Sequence, residues 1–441
     1  MHTEEKTQGV THDAHIAYIG ATILDGTRDM EPKEGMVLVT SGSRIEAIVP
    51  ESEKSAYAGC EVHNLRGRYL MPGLINMHVH LAGNGKPQKK QRDSAALVTK
   101  IMSNGLTRAV AYRLVRQYAQ IELMSGVTTI RTVGGLGDFD TRCRDEIASG
   151  KTLGPRILAA NEGISVPGGH MAGSVAIAAA SIDEALAHVE LSKKQGTDLV
   201  KLMITGGVLD GTRRGEAGLL RMDPAMAKAV CDRSHELGYK VAAHVEGVEG
   251  LKVALRNGVD SIEHGAKPDD EVIGLFKTTG AALCTTLSPA LPYALFDRSV
   301  SNTSEVEKYN GNMVFEGIIA CSKAALEAGT PVALGNDVGC PWITQYDFWR
   351  ELVYFCRYVG VTPTFSLYSA TLGNARVAGI DDVTGSLEPG KHADMIVTDG
   401  NPLDDLTTLR YIRHVVRDGV FIAEPHVRRK PEVDHELDKF L

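Results

Sequence analysis

Six side chains of this 441-residue chain are out of keeping with their neighbours. They are His78 and His80 in LINMHVH, Lys201 in LVKLMIT, His244 in KVAAHV, His264 in SIEHG and Asp337 in PVALGND. Each lies in, or at the end of, a short apolar run. In an extended strand a spacing of two puts His78 and His80 on one face. Neutral imidazoles and a carboxylate suit Zn, Mn, Co or Ni. Without an ion, four histidines, a lysine and an aspartate gathered at one point would form a costly polar cluster. A metal lowers the pKa of its bound water to about 7, so hydroxide is available at neutral pH. Asp337 could hold such a water, take its proton and pass it to a leaving group. Singly, each residue has a plainer reading: His-x-His packs in cores, Lys201 pairs or reaches solvent, His244 and His264 sit satisfied in the interior, and Asp337 caps a helix. Jointly, they point to one metal site.

The elements that must carry them alternate. Strand candidates are 74–80, 128–134, 156–161, 199–205, 240–245, 261–265, 281–287 and 331–337, with amphipathic stretches such as SIDEALAHVELSKKQG, PAMAKAVCDRSHELG and CSKAALEAG between them. Several of these end in Gly, as helix C-termini do. Eight β/α alternations predict an α/β fold, a TIM-like (β/α)8 barrel, whose active site lies at the C-terminal ends of the strands. Residues 15–70 read as short strands and turns without a helix of normal length. The tail returns to that style in SLEPGKHADMIVTDG and HVVRDGVFIAE. This predicts a small β-sandwich domain from both termini (1–70 plus 383–441) beside a catalytic barrel over 71–382. The segment 288–316 is longer than a usual barrel loop and reads either as a substrate lid or as a decorated loop with a helix.

Composition sets the outer bounds. With 43% hydrophobic and 23% charged residues, the chain has ordinary globular composition. A net charge of −8 disfavours a nucleic-acid surface. The polar first twenty residues read as a frayed start rather than a signal peptide, and no run is long and apolar enough for a membrane span. Seven scattered cysteines, without Cys-x-x-Cys, fit free thiols in a reducing compartment and a cytoplasmic location.

As an ordered set, LMPGLINMHVH, DLVKLMITGG, VAAHVEG, SIEHG, LGND, SATLGNARVAGI and GSLEPGKHADMIVTDGNPL resemble the amidohydrolase superfamily. The resemblance is to its branch of imidazolonepropionase-like proteins and metal-dependent Xaa-Pro and Xaa-Arg dipeptidases, and it covers nearly the whole chain. It implies a barrel with a terminal β-sandwich and a centre of two divalent ions, zinc first. His78, His80 and Asp337 would hold the more buried ion and His244 and His264 the second. Lys201 would bridge them as N6-carboxylysine, since a carbamate is anionic whereas an ammonium cannot coordinate. An unmodified Lys201 would leave a mononuclear variant.

Within GISVPGGHMAG, His170 resembles a residue that contacts the substrate's carboxylate or carbonyl in the dipeptidases. Two positions depart from the pattern. Glu246 stands where such relatives have Tyr or His; it reads either as an acid that favours a cationic substrate group or as a solvated loop acid. Thr132 stands where many relatives have Asp. The implied activity is metal-dependent hydrolysis of an amide C–N bond in a small molecule, such as a dipeptide or N-acyl amino acid, by a homo-oligomer. The same site type also serves cyclic amides, carbamates, ureas and lactones. A non-catalytic binding relative would be expected to have lost ligands, and all six are present.

Overall fold

The computed structural model describes residues 15–87 and 93–441. Eight parallel strand positions close into a barrel. They begin with Leu74–Val79, Val127–Thr132 and Arg156–Leu158, and continue through Leu199–Met203, Lys240–Val245, Ser261–His264, Ala282–Thr285 and Val332–Leu334. The third position is split. Arg156–Leu158 pairs with the second strand, while Gly163–Ser165 pairs with the fourth. Asn161, at φ 57°, turns the chain between the two pieces. Its side chain is fixed there by Thr141 and Gln195. The single strand expected over 156–161 is therefore two short ones, because the left-handed residue cannot continue a ladder.

The helices follow their sequence signals. Ile182–Gln195 starts at the Ser181 cap and ends at Gly196 in the left-handed region. Pro224–Glu236 opens with Pro after the Asp223 cap. CSKAALEAG lies mostly in the C-terminal half of a 23-residue helix, Glu305–Glu327, with a capping box at Ser304 and Glu307. The segment 288–316 is not an open loop. It is occupied by the helix Leu287–Leu295, the short helix Arg298–Ser301 and the start of Glu305–Glu327.

Both ends of the chain build two further sheets. One joins Met36–Ser41 to Arg44–Pro50 and His15–Ile19; the other joins Tyr69–Pro72 and Met395–Thr398 to His414–Arg417. Tyr18, Ile23, Leu38, Leu70, Met395 and Val416 bury a shared core between them. His15–Ile19, within the first twenty residues read as a frayed start, is a strand, and residues 1–14 lie outside the described residues. A short helix, Pro431–Leu437, follows the tail strands and was not signalled by the sequence. All seven cysteines are free, and among the described residues no helix is long and apolar enough to cross a membrane.

Barrel closure between the eighth and first strands relies on side-chain amides. Asn374, from the SATLGNARVAGI stretch, donates to the carbonyls of Ile75 at 2.6 Å and Leu334 at 2.8 Å, and accepts from the Leu334 N–H at 2.8 Å. Asn76 donates to Asn336 at 2.8 Å across the same junction. Gly335 lets the two strands approach, since a Cβ there would lie 2.5 Å from the His78 Cβ. All three asparagines are fully buried, and losing the Asn374 amide leaves backbone groups of Ile75 and Leu334 unpaired. Asn374→Ala should therefore destabilise the fold by about 3 kcal/mol or more, read as a lower denaturation midpoint.

The barrel and the tail sheet are joined by charge. Asp394 accepts from Arg156 of the third barrel strand at 3.3 Å and from Arg417 at 3.2 Å. Beside it, burial would raise the Asp418 carboxyl, but the His392 hydrogen bond and Arg417 bring it down from 3.8 to about 2. A depressed carboxylate stabilises the fold above its unfolded pKa and loses that contribution as pH falls through its folded one. The Asp418 side chain is 44% exposed, so screening reduces the effect to about 1 kcal/mol. Asp418→Asn should lower stability by that amount at pH 7 and make no difference near pH 2, checked by urea titration at both pH values.

Candidate functional site

The C-terminal ends of the barrel strands bring all six of the out-of-keeping residues together. The first strand and the residue after it supply His78 and His80, the fourth Lys201, the fifth His244 and the sixth His264. Asp337 follows the eighth. Asp337 Oδ1 lies 3.5 Å from His78 Nε2 and 3.3 Å from His80 Nε2. The His78 and His264 rings are 4.8 Å apart, and the His244 and His264 rings 4.7 Å. His264 and Asp337 both sit at positive φ, 70° and 54°, which non-glycine residues seldom adopt and which is often found at functional sites.

Among the described residues three groups of donor atoms are close enough for each to share a cation: His78, His80 and Asp337; His244, Glu246 and His264; and His78, Glu263 and Cys284. Lys201 Nζ, His244 Nε2, Glu246 Oε2 and Asp337 Oδ1 are buried without a hydrogen-bond partner. Orphaned polar atoms of this kind are costly unless something else engages them. The donor set of imidazoles and carboxylates therefore fits divalent ions.

Electrostatics agree with this. Burial pushes His78 down to about 4 and holds His244 and His264 well below the usual imidazole range, so all three are neutral, as ligands must be. Burial also lowers the Lys201 amine to about 8. For Asp337 burial works the other way, yet the His78 and His80 imidazoles hold its carboxyl far below the ordinary value. Glu246 is raised to about 8, by burial and then by the charges of Asp210 and Asp337. It is thus a half-buried acid with Oε2 enclosed at the site, not the solvated loop acid that was one of its two readings.

Around these groups lies a layer of partners absent from the sequence reading. His78 Nδ1 meets Glu263 Oε2 at 2.8 Å, His80 Nδ1 the Gly134 carbonyl at 2.8 Å, and His264 Nδ1 the Thr286 hydroxyl at 2.6 Å. Each contact uses Nδ1 and leaves Nε2 to the site. His170 stacks on His244, with centroids 3.9 Å apart and planes at 9°, and its Nδ1 is held by Asp210 at 2.6 Å. Asp210 also accepts from the Gly207 N–H at 2.8 Å. Helix Leu287–Leu295 brings Tyr293 within electrostatic range of Asp337 and Glu246. That helix starts on Glu351, which accepts from the Leu287 and Ser288 N–H groups at 2.6 and 2.8 Å, next to Thr286.

Glu263 had a visible signal, a charge inside the four-residue buried strand Ser261–His264. Thr286 and Asp210 had none. Thr132 is fully buried, and the Asp140 carboxylate packs near it and near His80; burial raises that carboxyl to about 6.

Thr286→Val keeps the shape of the side chain but removes the His264 Nδ1 partner. Divalent-ion affinity should fall about 10- to 100-fold with little change in melting temperature, checked by chelator competition.

The sequence profile of the Amidohydrolase family matches residues 69–422. The chain is 25% identical to the ochratoxinase of Aspergillus niger over 449 residues, spanning 95% of this chain and 88% of the relative. A solved structure from Bifidobacterium longum is 34% identical, with a TM-score of 0.85 over 97% of this chain and 99% of its own. A Xaa-Pro dipeptidase solved with methionine bound in its active site is 28% identical, with a TM-score of 0.81 over 93% and 100%.

Proposed function

Because this chain belongs to the amidohydrolase family and hydrolyses C–N amide bonds, we propose that its barrel mouth holds two divalent ions, zinc first, and cleaves a dipeptide, N-acyl amino acid or related small amide. The observation that carries the reading is the first two of the three donor groups, each built around buried atoms that have no hydrogen-bond partner in the protein. His78, His80 and Asp337 would hold one ion and His244 and His264 the other. Lys201 would join them as N6-carboxylysine. Its amine is wholly buried, lacks a hydrogen-bond partner and is lowered to about 8, so a neutral nucleophilic fraction is present to take up carbon dioxide. Bound divalent ions would supply Lewis acidity towards the scissile carbonyl and a water deprotonated near neutral pH.

The chain's own residues do the rest. Asp337 takes a proton on its carboxylate and returns it to the departing nitrogen. Asp210 fixes His170 by accepting from Nδ1, and a proton on Nε2 as well would let His170 donate to a substrate carbonyl or carboxylate. Glu246 presents a buried, partnerless oxygen beside His244. Such a group disfavours a second carboxylate nearby and favours a substrate amine or guanidinium.

Zinc-loaded protein should release products from a mixed set of dipeptides and N-acyl amino acids, identified by mass spectrometry, and lose that activity on chelation. Asp337→Asn should lower kcat by about 10²- to 10⁴-fold. Absence of cleavage with two ions per chain verified would overturn the dipeptide and N-acyl reading.

A further inference from the structure

Inside the barrel, below the candidate ligands, lies a buried ion pair that the chemistry above does not use. Arg131 belongs to the second strand and Glu263 to the sixth, so their side chains meet across the interior rather than along a ladder. Arg131 Nη2 donates to Glu263 Oε1 at 2.6 Å, Nη1 to Ser261 Oγ at 2.9 Å, and Nε to the Met77 carbonyl of the first strand at 2.8 Å. Ser261 Oγ donates to the same Glu263 oxygen at 2.7 Å. The other oxygen, Oε2, meets His78 Nδ1 at 2.8 Å. The Glu263 side chain has no exposed surface, and those of His78 and Arg131 are 1% and 7% exposed.

This geometry restricts what Glu263 can do. It lies near His78 and Cys284 in a grouping that could in principle hold a cation. Arg131 already supplies that positive charge, and Arg131, Ser261 and His78 occupy both carboxylate oxygens. What remains is to act as a fixed anionic acceptor. His80 and His264 lean on a carbonyl and a hydroxyl, whereas His78 leans on a carboxylate held by Arg131 of the second strand and by Ser261 of its own strand. A carboxylate behind an imidazole fixes its tautomer and ring plane and strengthens the other nitrogen as a donor.

We propose that Arg131 and Glu263 are positioning residues. Arg131 holds Glu263, and Glu263 holds His78 with its proton on Nδ1 and its lone pair on Nε2, directed at Asp337. The proposal rests on the metal-centre reading only for what His78 then binds. The tautomer itself is a property of the protein without ions.

Two measurements test it. In full-length, ion-free protein, ¹⁵N-histidine spectra, with His78 assigned by its loss in His78→Gln, should place the His78 proton on Nδ1. A proton on Nε2 overturns the proposal, and this result does not depend on any variant folding. The second uses the double variant Arg131→Met, Glu263→Gln, which removes both charges together, because removing one alone would strand the other in the interior. With cooperative thermal unfolding retained, its zinc affinity, read by chelator competition, should fall about 10- to 100-fold for one of the two ions and stay unchanged for the other. Wild-type affinity for both ions overturns the proposal. Wild-type protein that binds no divalent ion would sink the hydrolase reading while leaving the tautomer result standing, so the two failures are distinguishable.

Discussion

A protein interior tolerates a charge or a bare hydrogen-bonding atom only when something answers it. At this barrel mouth Lys201, His244 and Glu246 all keep buried atoms without a hydrogen-bond partner in the chain. The surrounding architecture can be understood from that. Parallel strands converge these residues from different parts of the sequence. Burial keeps His78, His244 and His264 neutral, and the left-handed turns at His264 and Asp337 aim side chains that regular backbone would aim elsewhere. At His264 and Asp337 the departure from ordinary folding preference occurs where a donor atom has to be delivered.

The support for these residues is graded. Nearest the site, a carbonyl, a hydroxyl and carboxylates fix the imidazole rings by their Nδ1 atoms. One layer further out, Arg131 anchors Glu263, and Glu351 starts the helix beside Thr286. A site held in this way has little freedom to adjust, so small changes far from the chemistry are transmitted to it through hydrogen bonds rather than absorbed by loose packing.

Much of this was legible beforehand, for a physical reason. A lysine or histidine in an apolar strand is an anomaly that local sequence displays, and eight such strands alternating with helices leave few folds to choose from. What could not be read was pairing across the barrel. Arg131 and Glu263 each stand in a segment singled out for other residues, but nothing along the chain shows that they touch. The break in the third strand was hidden because Arg156–Ala160 is continuous in character and only the backbone of Asn161 turns it. A helix was one of the two readings of 288–316, but Pro289 and Pro292, one near the start of a helix and one inside it, hid how much of the segment is helical. In each case the missing information is three-dimensional: a partner, a dihedral angle or a tolerated exception.

The closure of the barrel carries one more consequence. Most of the wall is parallel ladder, but at the join between the last strand and the first a single backbone bond, from the His80 N–H to the Val338 carbonyl, is supplemented by Asn76, Asn336 and Asn374. His78 and His80 stand on one side of that seam and Asp337 on the other. An ion shared by the three would act as a rivet across the parting line, so that cofactor retention and mechanical integrity become one property. The barrel would open where it lets go of its metal, and a chain that had lost its ion in the cell would be marked for unfolding at the place where it had also lost its chemistry.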